Sequence, residues 1–133
     1  MNLLLDTCTF LWALHVPARL SAPARKALQA PTHTVHVSVI TFWEISLKAG
    51  LGKLSFEGVT PEEYPALALE AGWAIHPLAP GLAASSSRLG RTQEHRDPFD
   101  RLLVWTAINE NFVFVSGDDA LPNYVPQGLR ICW

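Results

Sequence analysis

Short apolar runs alternate with helical segments along the whole chain, and this alternation limits the folds that the sequence can adopt. Five runs have the composition of β-strands: residues 3–5, 35–39, 73–76, 112–115 and 129–132. Segments with a helical spacing of apolar residues separate them: residues 9–15, a stretch after 21, and residues 39–49, 60–72, 80–89 and 97–109. Strands that alternate with helices favour a parallel sheet covered by helices. The sequence therefore predicts an α/β fold, a three-layer α/β/α sandwich with a mostly parallel central sheet.

Three of the predicted helices begin with a capping signal. Ser21 precedes a segment that has Pro23 in its first turn, which suits a helix start. Thr60 is followed three residues later by Glu63, the spacing of a capping box. Asp97 stands directly before the clearest helical pattern of the chain. These signals are local, so they predict where helices start without reference to the rest of the fold.

Composition restricts the class of protein. The chain has 133 residues, of which 49% are hydrophobic and 17% are charged. This length and composition predict a single domain over residues 1–133 and exclude a disordered chain. The formal net charge of −2 excludes a protein that holds nucleic acid by bulk positive charge. Any nucleic acid partner must therefore meet a local group of basic residues.

The sequence also predicts where the protein resides. No segment reads as a membrane span, because proline, glycine, serine and histidine interrupt the least charged stretches. The first residues lack the basic start of a signal peptide, and Asp6 ends their apolar run after three leucines. Cys8 and Cys132 have no metal-type spacing and are interpreted as two thiols of a reducing compartment. We therefore expect a cytoplasmic protein with no membrane partner.

Four acidic residues lie at positions where the surrounding sequence is apolar, and not on a face that would be exposed to solvent. Asp6 directly follows the first apolar run, and Asp118 comes just after the fourth. Glu44 and Asp100 lie in helical segments whose neighbours one turn away are apolar. Because ligands of open α/β sheets bind beyond the carboxyl ends of the strands, the four carboxylates can meet there. Carboxylates without matching bases repel one another unless a hard cation binds, and oxygen ligands suit Mg²⁺ or Mn²⁺.

Each of these acids also has a purely structural interpretation. An acid at the start of a helix caps it and stabilises its dipole, which is what we expect of Asp97 and the alternative for Asp100. Glu44 can form an ion pair with Lys48, which lies one helical turn further on. The adjacent pair 118–119 can form the turn after the strand, and the sequence does not decide whether Asp118 or Asp119 belongs to a site.

Four motifs, in order along the chain, resemble the successive motifs of PIN-domain ribonucleases. They are Leu4-Leu5-Asp6-Thr7, Trp43-Glu44-Ile45, Asp97-Pro98-Phe99-Asp100-Arg101-Leu102-Leu103 and Val115-Ser116-Gly117-Asp118. The sequence is most similar to toxins of the virulence-associated protein C (VapC) type, from bacterial and archaeal toxin–antitoxin pairs. The resemblance covers essentially the whole chain.

The resemblance implies a metal-dependent endoribonuclease that cleaves single-stranded or looped RNA. The family's acidic site maps onto Asp6, Glu44, Asp100 and Asp118. Three of these acids would be metal ligands, directly or through water, while Glu44 would ligate the ion or orient the attacking water. Polar neighbours of the site would be Thr7, Ser116 and Asp97. The family further implies Mg²⁺ or Mn²⁺ as cofactor, a cognate antitoxin protein as partner, and a homodimer.

Contacts to an RNA backbone need cations that the net charge conceals. Residues 88–101 contain four arginines against three acids. If a metal neutralises the acids of the site, this rim becomes basic, and we expect Arg96, Arg101 and Lys48 to contact substrate phosphates. His95 lies in the same rim and is interpreted as a loop residue, because no second histidine stands at ligand spacing.

Exposed tryptophans could stack on the bases of a single-stranded RNA. Trp12, Trp43 and Trp105 lie within apolar helical patterns and are predicted to belong to the core. Trp133 fits either a core or an interface.

Two other classes of protein fit part of the pattern. A phosphotransfer receiver domain also gathers acids at strand ends, but it needs an acid pair after the first strand and a lysine near the last. This chain has only Asp6 at the first position and no lysine after Lys53. A binding module that keeps the fold without the chemistry is the second alternative. Binding of Mg²⁺ or Mn²⁺ to the free protein distinguishes an enzyme from such a module.

Overall fold

Within residues 1–92 and 95–133, which the computed structural model describes, five strands form one sheet. The strands are β1 (Asn2–Leu5), β2 (Thr34–Ser38), β3 (Ala74–His76), β4 (Val113–Val115) and β5 (Arg130–Cys132). Each neighbouring pair is parallel, and the order across the sheet is β3-β2-β1-β4-β5. The predicted α/β fold is confirmed, with a sheet that is parallel throughout.

Helices connect the strands and cover both faces of the sheet. In the described residues they are α1 (Thr7–His15), α2 (Ala22–Gln29), α3 (Val39–Gly50), α4 (Tyr64–Glu70), α5 (Pro80–Ser85) and α6 (Pro98–Asn109). Short 3₁₀ turns accompany them at Pro17–Arg19, Pro61–Glu63, Ser86–Arg88 and Leu121–Gln127. Across the described ranges, no helix is long and apolar enough to cross a membrane.

The capping signals act as the sequence predicts. Ser21 Oγ accepts a hydrogen bond from the Ala24 N–H at 3.2 Å, and Thr60 and Glu63 form the capping box. Several boundaries differ from the prediction, among them the start of α1 at Thr7 and the division of the predicted helix 60–72 into a 3₁₀ turn and α4. Val39 belongs to α3 and not to β2, because Ser38 Oγ accepts the Ile40 N–H at 3.1 Å and caps that helix. The predicted helix 80–89 divides into α5 and a 3₁₀ turn.

The three leucines of β1 serve two separate cores. Because successive residues of a strand point to opposite faces of the sheet, Leu3 and Leu5 pack on one side and Leu4 on the other. The first core contains residues of α1, α2, α3 and α4, whereas the second contains residues of α6 and the segment that follows β4. A strand buried on both faces explains why its apolar run is continuous.

The strand order creates a crevice at one edge of the sheet. From β1 the chain continues to β2 on one side, while β4 pairs with β1 on the other. Such a switch point leaves space beyond the carboxyl ends of the two central strands, where ligands of α/β proteins bind. Asp6 follows β1 and Ser116 follows β4, so two segments more than a hundred residues apart meet there.

Candidate metal centre

Asp6 lies buried at the carboxyl end of β1 and caps α1. Its Oδ1 accepts the Thr9 N–H at 2.6 Å, and its Oδ2 accepts a hydrogen bond from Ser116 Oγ. Burial raises the pKa of Asp6 from its ordinary 3.8 to about 6, although the bonds from Ser116 and Thr9 act in the opposite direction. The negative charge of Asp100 adds to the rise. The site thus holds a carboxyl group whose ionisation is unfavourable without a nearby positive charge.

Glu44 projects from α3 into the same crevice and is only 3% exposed. Its Oε1 accepts a hydrogen bond from Thr7 Oγ1 at 2.6 Å, and its Oε2 contacts Lys48 Nζ. The Lys48 ammonium also lies 3.8 Å from Asp97 Oδ2. The ion pair along the helix that the spacing allows is therefore present, and Lys48 compensates the acids on this side of the site.

Two aspartates of α6 have different tasks. Asp97 Oδ1 accepts the backbone N–H groups of Phe99 and Asp100 at 2.8 and 3.2 Å. Its predicted capping role is confirmed. Asp100 is the third residue of the helix, in its first turn, and its carboxylate faces His95.

Asp118 combines a turn with a place in the site. Its Oδ1 accepts a hydrogen bond from the Ala120 N–H at 2.9 Å, so Asp118 does stabilise the turn after β4, as its structural interpretation predicts. Its backbone N–H donates to Ser116 Oγ at 3.2 Å. Its second oxygen, Oδ2, lies 3.3 Å from His95 Nε2. Asp119 is exposed and belongs to no acid group of the described residues that could hold an ion. Of the two adjacent acids, Asp118 is the one that faces the crevice.

His95 is the site residue that the sequence did not identify. Interpreted as a loop residue, it is in fact only 5% exposed. Its Nδ1 lies 2.8 Å from Tyr124 Oη, and its Nε2 lies 3.5 Å from Asp100 Oδ2. The interaction with Asp100, aided by the charge of Asp118, raises the pKa of His95 against the effect of burial. Its partners come from segments remote in sequence, so no local spacing could have shown its position.

The acids form two overlapping groups that share Asp100. One group contains His95, Asp100 and Asp118, and the other contains Glu44, Asp97 and Asp100. In each group one potential ligand atom per residue lies within 4.8 Å of the others. Asp6 belongs to neither group among the described residues, but its charge interacts with that of Asp100. Three of the four acids predicted from the sequence thus offer ligand atoms to these groups, and Asp6 lies beside them.

A groove of about 770 Å³ opens next to the acids. Its lining includes His95, Trp43, Arg91, Arg96 and Arg101. Arg96 is exposed. Arg101, in contrast, donates hydrogen bonds to the Leu89 carbonyl at 2.9 Å and to Tyr124 Oη at 3.0 Å. Glu94, one of the three acids counted in this rim, lies outside the described residues.

The prediction that Trp43 belongs to the core is wrong. Its side chain is 61% exposed and packs edge-on against Phe99, with ring centroids 4.8 Å apart, in the wall of the groove. The helix α3 is apolar on most of its circumference, so the pattern alone does not show which face meets the sheet. Trp12 and Trp105 are half-buried.

The sequence profile of the PIN domain matches residues 3–125, a range that includes all four predicted acids. The chain belongs to the PIN-domain family. This membership confirms the predicted family and excludes the receiver-domain alternative. A comparison with curated proteins finds no match.

Solved structures share the fold of this PIN domain over nearly its whole length. VapBC2 from Rickettsia felis, bound to a DNA fragment from its promoter, is 19% identical with a TM-score of 0.71, and the match covers 98% of this chain and 97% of that one. DNA-bound VapBC from Salmonella typhimurium is 19% identical with a TM-score of 0.65, over 98% and 96% of the two chains. VapBC-5 from Mycobacterium tuberculosis, of the VapBC family of toxin–antitoxin systems, is 17% identical with a TM-score of 0.57, over 98% and 96%. At these identities the likeness concerns the fold.

The donor set of this PIN domain fits a divalent cation. PIN domains generally bind a divalent metal, and the carboxylate oxygens gathered here are the ligands that Mg²⁺ and Mn²⁺ prefer. The carboxylates of Glu44 and Asp97 pair with the ammonium of Lys48, and those of Asp100 and Asp118 with the imidazole of His95. The charge of Asp6, in addition, interacts with that of Asp100. The residues therefore carry more negative charge than their own partners neutralise, which favours a bound cation.

Proposed function

We propose that this PIN domain is a divalent-metal-dependent endoribonuclease that cleaves single-stranded or looped RNA. The observation that carries the proposal is the meeting of two acid groups at Asp100, at the switch point of the sheet and beside a groove with arginines in its wall. Acids alone can bind an ion for structural reasons. A groove whose wall has both cationic side chains and an exposed aromatic ring can, in addition, bind a single-stranded RNA next to the ion.

In this proposal each acid has a defined task. Asp100 and Asp118 hold the ion, and Asp6 binds it directly or through water from its position beside Asp100. Glu44, oriented by Thr7 and Lys48, accepts a proton from the attacking water or positions it. A bound Mg²⁺ or Mn²⁺ supplies a water of lowered pKa and neutralises charge that develops on the scissile phosphate. No nucleophilic side chain is needed.

The groove wall would bind the RNA. Arg96 is exposed and suited to a phosphate contact, and Trp43 offers an exposed face on which a base can stack. Lys48 and Arg101 were also predicted to bind substrate. In the structure the ammonium of Lys48 contacts Glu44 and Asp97. The guanidinium of Arg101 contacts Tyr124 and main-chain carbonyls. A phosphate contact by either residue stays a prediction.

Within the cell, we propose that the protein is the toxin of a type II toxin–antitoxin pair in the cytoplasm. Solved structures that share its fold over almost the whole chain are VapBC assemblies, and one of these is described as part of a toxin–antitoxin system. A cognate antitoxin would then hold the nuclease inactive. We further propose that the chain forms a homodimer.

The test is cleavage of labelled single-stranded RNA by the purified protein with Mn²⁺. We expect cleavage by the wild type, and activity no higher than that of an EDTA-treated sample for Asp100→Asn and Asp6→Asn. The matched control is Asp119→Asn, which removes an exposed acid adjacent to the site and should leave cleavage intact.

Three results would contradict the proposal. Equal cleavage by all variants would mean contamination or a different active site. Loss of cleavage in Asp119→Asn as well as in Asp6→Asn and Asp100→Asn would mean that the fourth acid is Asp119 and not Asp118. Absence of both cleavage and calorimetric Mn²⁺ or Mg²⁺ binding in the wild type would identify a module that keeps the fold without the chemistry.

A further inference from the structure

We propose that His95 is a ligand of the divalent cation, which would bind between His95 Nε2 and the carboxylates of Asp100 and Asp118. This inference rests on the proposed metal-dependent function and deepens it, because it changes the site from one of oxygen ligands to one of mixed oxygen and nitrogen ligands.

The first support is a buried nitrogen that lies near two carboxylates but makes no hydrogen bond of good geometry to either. His95 is 5% exposed, and its Nε2 is one of three buried side-chain polar atoms in residues 1–92 and 95–133 that have no hydrogen-bond partner. Buried polar groups of native proteins are nearly always satisfied, so such an atom calls for a missing partner. The Nε2 atom is aimed at carboxylate oxygens 3.3 and 3.5 Å away, on Asp118 and Asp100.

These separations suit ligands around a small cation. Mn²⁺ and Mg²⁺ bind at roughly 2.1 Å, so adjacent ligands of an octahedral ion lie about 3 Å apart. The three ligand atoms of His95, Asp100 and Asp118 all lie within 4.8 Å of one another. A cation can therefore bind all three with small adjustments of the side chains.

The second support is the way in which the ring is held. His95 Nδ1 lies 2.8 Å from Tyr124 Oη, and Tyr124 is fully buried. Tyr124 Oη also accepts a hydrogen bond from Arg101 Nη1 at 3.0 Å, and Arg101 is itself bound to the Leu89 carbonyl. If Nδ1 donates its proton to Tyr124, the lone pair of Nε2 points at the acids. Metal-binding histidines are typically oriented in this way by a partner on the other ring nitrogen.

The third support concerns the charge balance of the two acid groups. Lys48 compensates Glu44 and Asp97. Among the described residues, the ion pairs of Asp100 and Asp118 involve only the His95 imidazole. The group without a lysine or arginine partner gains most from a cation, so the ion belongs with His95.

A nitrogen ligand changes the metal preference. Both Mg²⁺ and Mn²⁺ bind oxygen ligands, but Mn²⁺, as a first-row transition ion, accepts an imidazole nitrogen more readily than Mg²⁺ does. We therefore expect the wild-type protein to bind Mn²⁺ more tightly than Mg²⁺, and His95 to account for part of that difference.

The experiment is pulsed electron paramagnetic resonance on the full chain loaded with Mn²⁺, together with calorimetric titration of Mn²⁺ and of Mg²⁺. The spectrum should show a ¹⁴N coupling that changes when histidine is labelled with ¹⁵N, a result that needs no substitution. His95→Gln should lose the coupling and bind Mn²⁺ at least about tenfold more weakly, with a smaller loss for Mg²⁺.

Two further variants separate ligation from structure. Tyr124→Phe removes the group that orients the ring, so it should weaken Mn²⁺ binding and keep the nitrogen coupling. His33→Gln removes a histidine from the opposite edge of the sheet, before β2, and should leave both the coupling and the affinity unchanged. Circular dichroism checks that each variant is folded.

The outcomes distinguish this inference from the proposed function. If the wild type binds Mn²⁺ without a nitrogen coupling, or if His95→Gln binds it as tightly, the histidine is not a ligand and the acid site stands. If the wild type binds neither cation and EDTA has no effect on RNA cleavage, the proposed function fails, and this inference fails with it.

Discussion

At the scale of single residues, the site concentrates charge that the fold does not neutralise by itself. Asp6 shows this most clearly, because burial and the charge of Asp100 raise its pKa to about 6 in spite of its hydrogen bonds from Ser116 and Thr9. A carboxyl group whose pKa is higher in the folded chain than in the unfolded chain destabilises the fold once it ionises. The positions that would serve the chemistry are thus expected to weaken the metal-free protein.

Replacement of Asp6 tests this cost. The pKa of Asp6 rises from 3.8 to about 6 on folding, so its stabilising contribution is present below pH 3.8 and is lost as the pH rises to 6. In EDTA at pH 7.5, Asp6→Asn should therefore raise the free energy of unfolding, by an amount on the order of 1–3 kcal/mol. Asparagine can still cap α1, so the helix start is preserved.

Urea denaturation at pH 7.5 and at pH 4.5 measures this effect. The gain should shrink at the lower pH, where Asp6 is protonated in the folded wild type. Glu57→Gln, which changes an exposed acid, is the control and should alter stability little at either pH. A destabilised Asp6→Asn at pH 7.5 would show that the ionised carboxylate contributes favourably to the fold even without metal.

At the scale of secondary-structure elements, one helix start organises the site. Asp97 caps α6 through Oδ1, and this fixes the first turn in which Asp100 lies. Its other oxygen, Oδ2, is within 3.8 Å of Lys48 on α3. The same residue therefore sets the direction of α6 and takes part in an acid group.

Two substitutions of Asp97 separate the cap from the charge. Asparagine keeps the capping oxygen and removes the charge, whereas alanine removes both. We expect Asp97→Ala to unfold with a free energy about 0.5–2 kcal/mol below that of Asp97→Asn, measured by urea denaturation. Because both variants lack the charge, their difference isolates the cap. Equal stabilities would mean that α6 starts without help from this side chain.

At the scale of the whole molecule, α3 presents an apolar ridge to solvent. Val39, Trp43, Leu47 and Leu51 are exposed and follow one another at intervals of four residues. A ridge with this spacing interdigitates with the same ridge of a second helix in the commonest class of helix packing. Since a two-fold axis brings the same patch of two subunits together, the end of this ridge with Leu47 and Leu51 suits the proposed homodimer and leaves Trp43 in the groove wall.

A double substitution tests the homodimer. The wild type should elute as a dimer in size-exclusion chromatography with light scattering, and Leu47→Glu/Leu51→Glu should elute as a monomer, because buried unpaired charges oppose association. Leu69→Glu places the same charge on an exposed leucine of α4 and should remain dimeric. A monomeric wild type, or a dimer that survives the double substitution, would overturn this assignment of the ridge.

The caps at Ser21, Thr60 and Asp97 were predicted correctly, because each depends on atoms only a few residues apart. The class of the fold was also predictable, since alternation of strands and helices admits few other arrangements. The seven-residue 3₁₀ turn after β4 was missed, because prolines in an apolar segment are compatible with several local conformations.

What the sequence determined by itself was the family, the fold class and the positions of the acids at strand ends and helix starts. Only the tertiary structure decided that Trp43 faces a groove, that Asp118 and not Asp119 faces the crevice, and that His95 is buried between two carboxylates and Tyr124. The reason is physical: a cap or an apolar period depends on neighbours within about one turn. The surroundings of a loop histidine depend on atoms that only the packing of distant segments brings together.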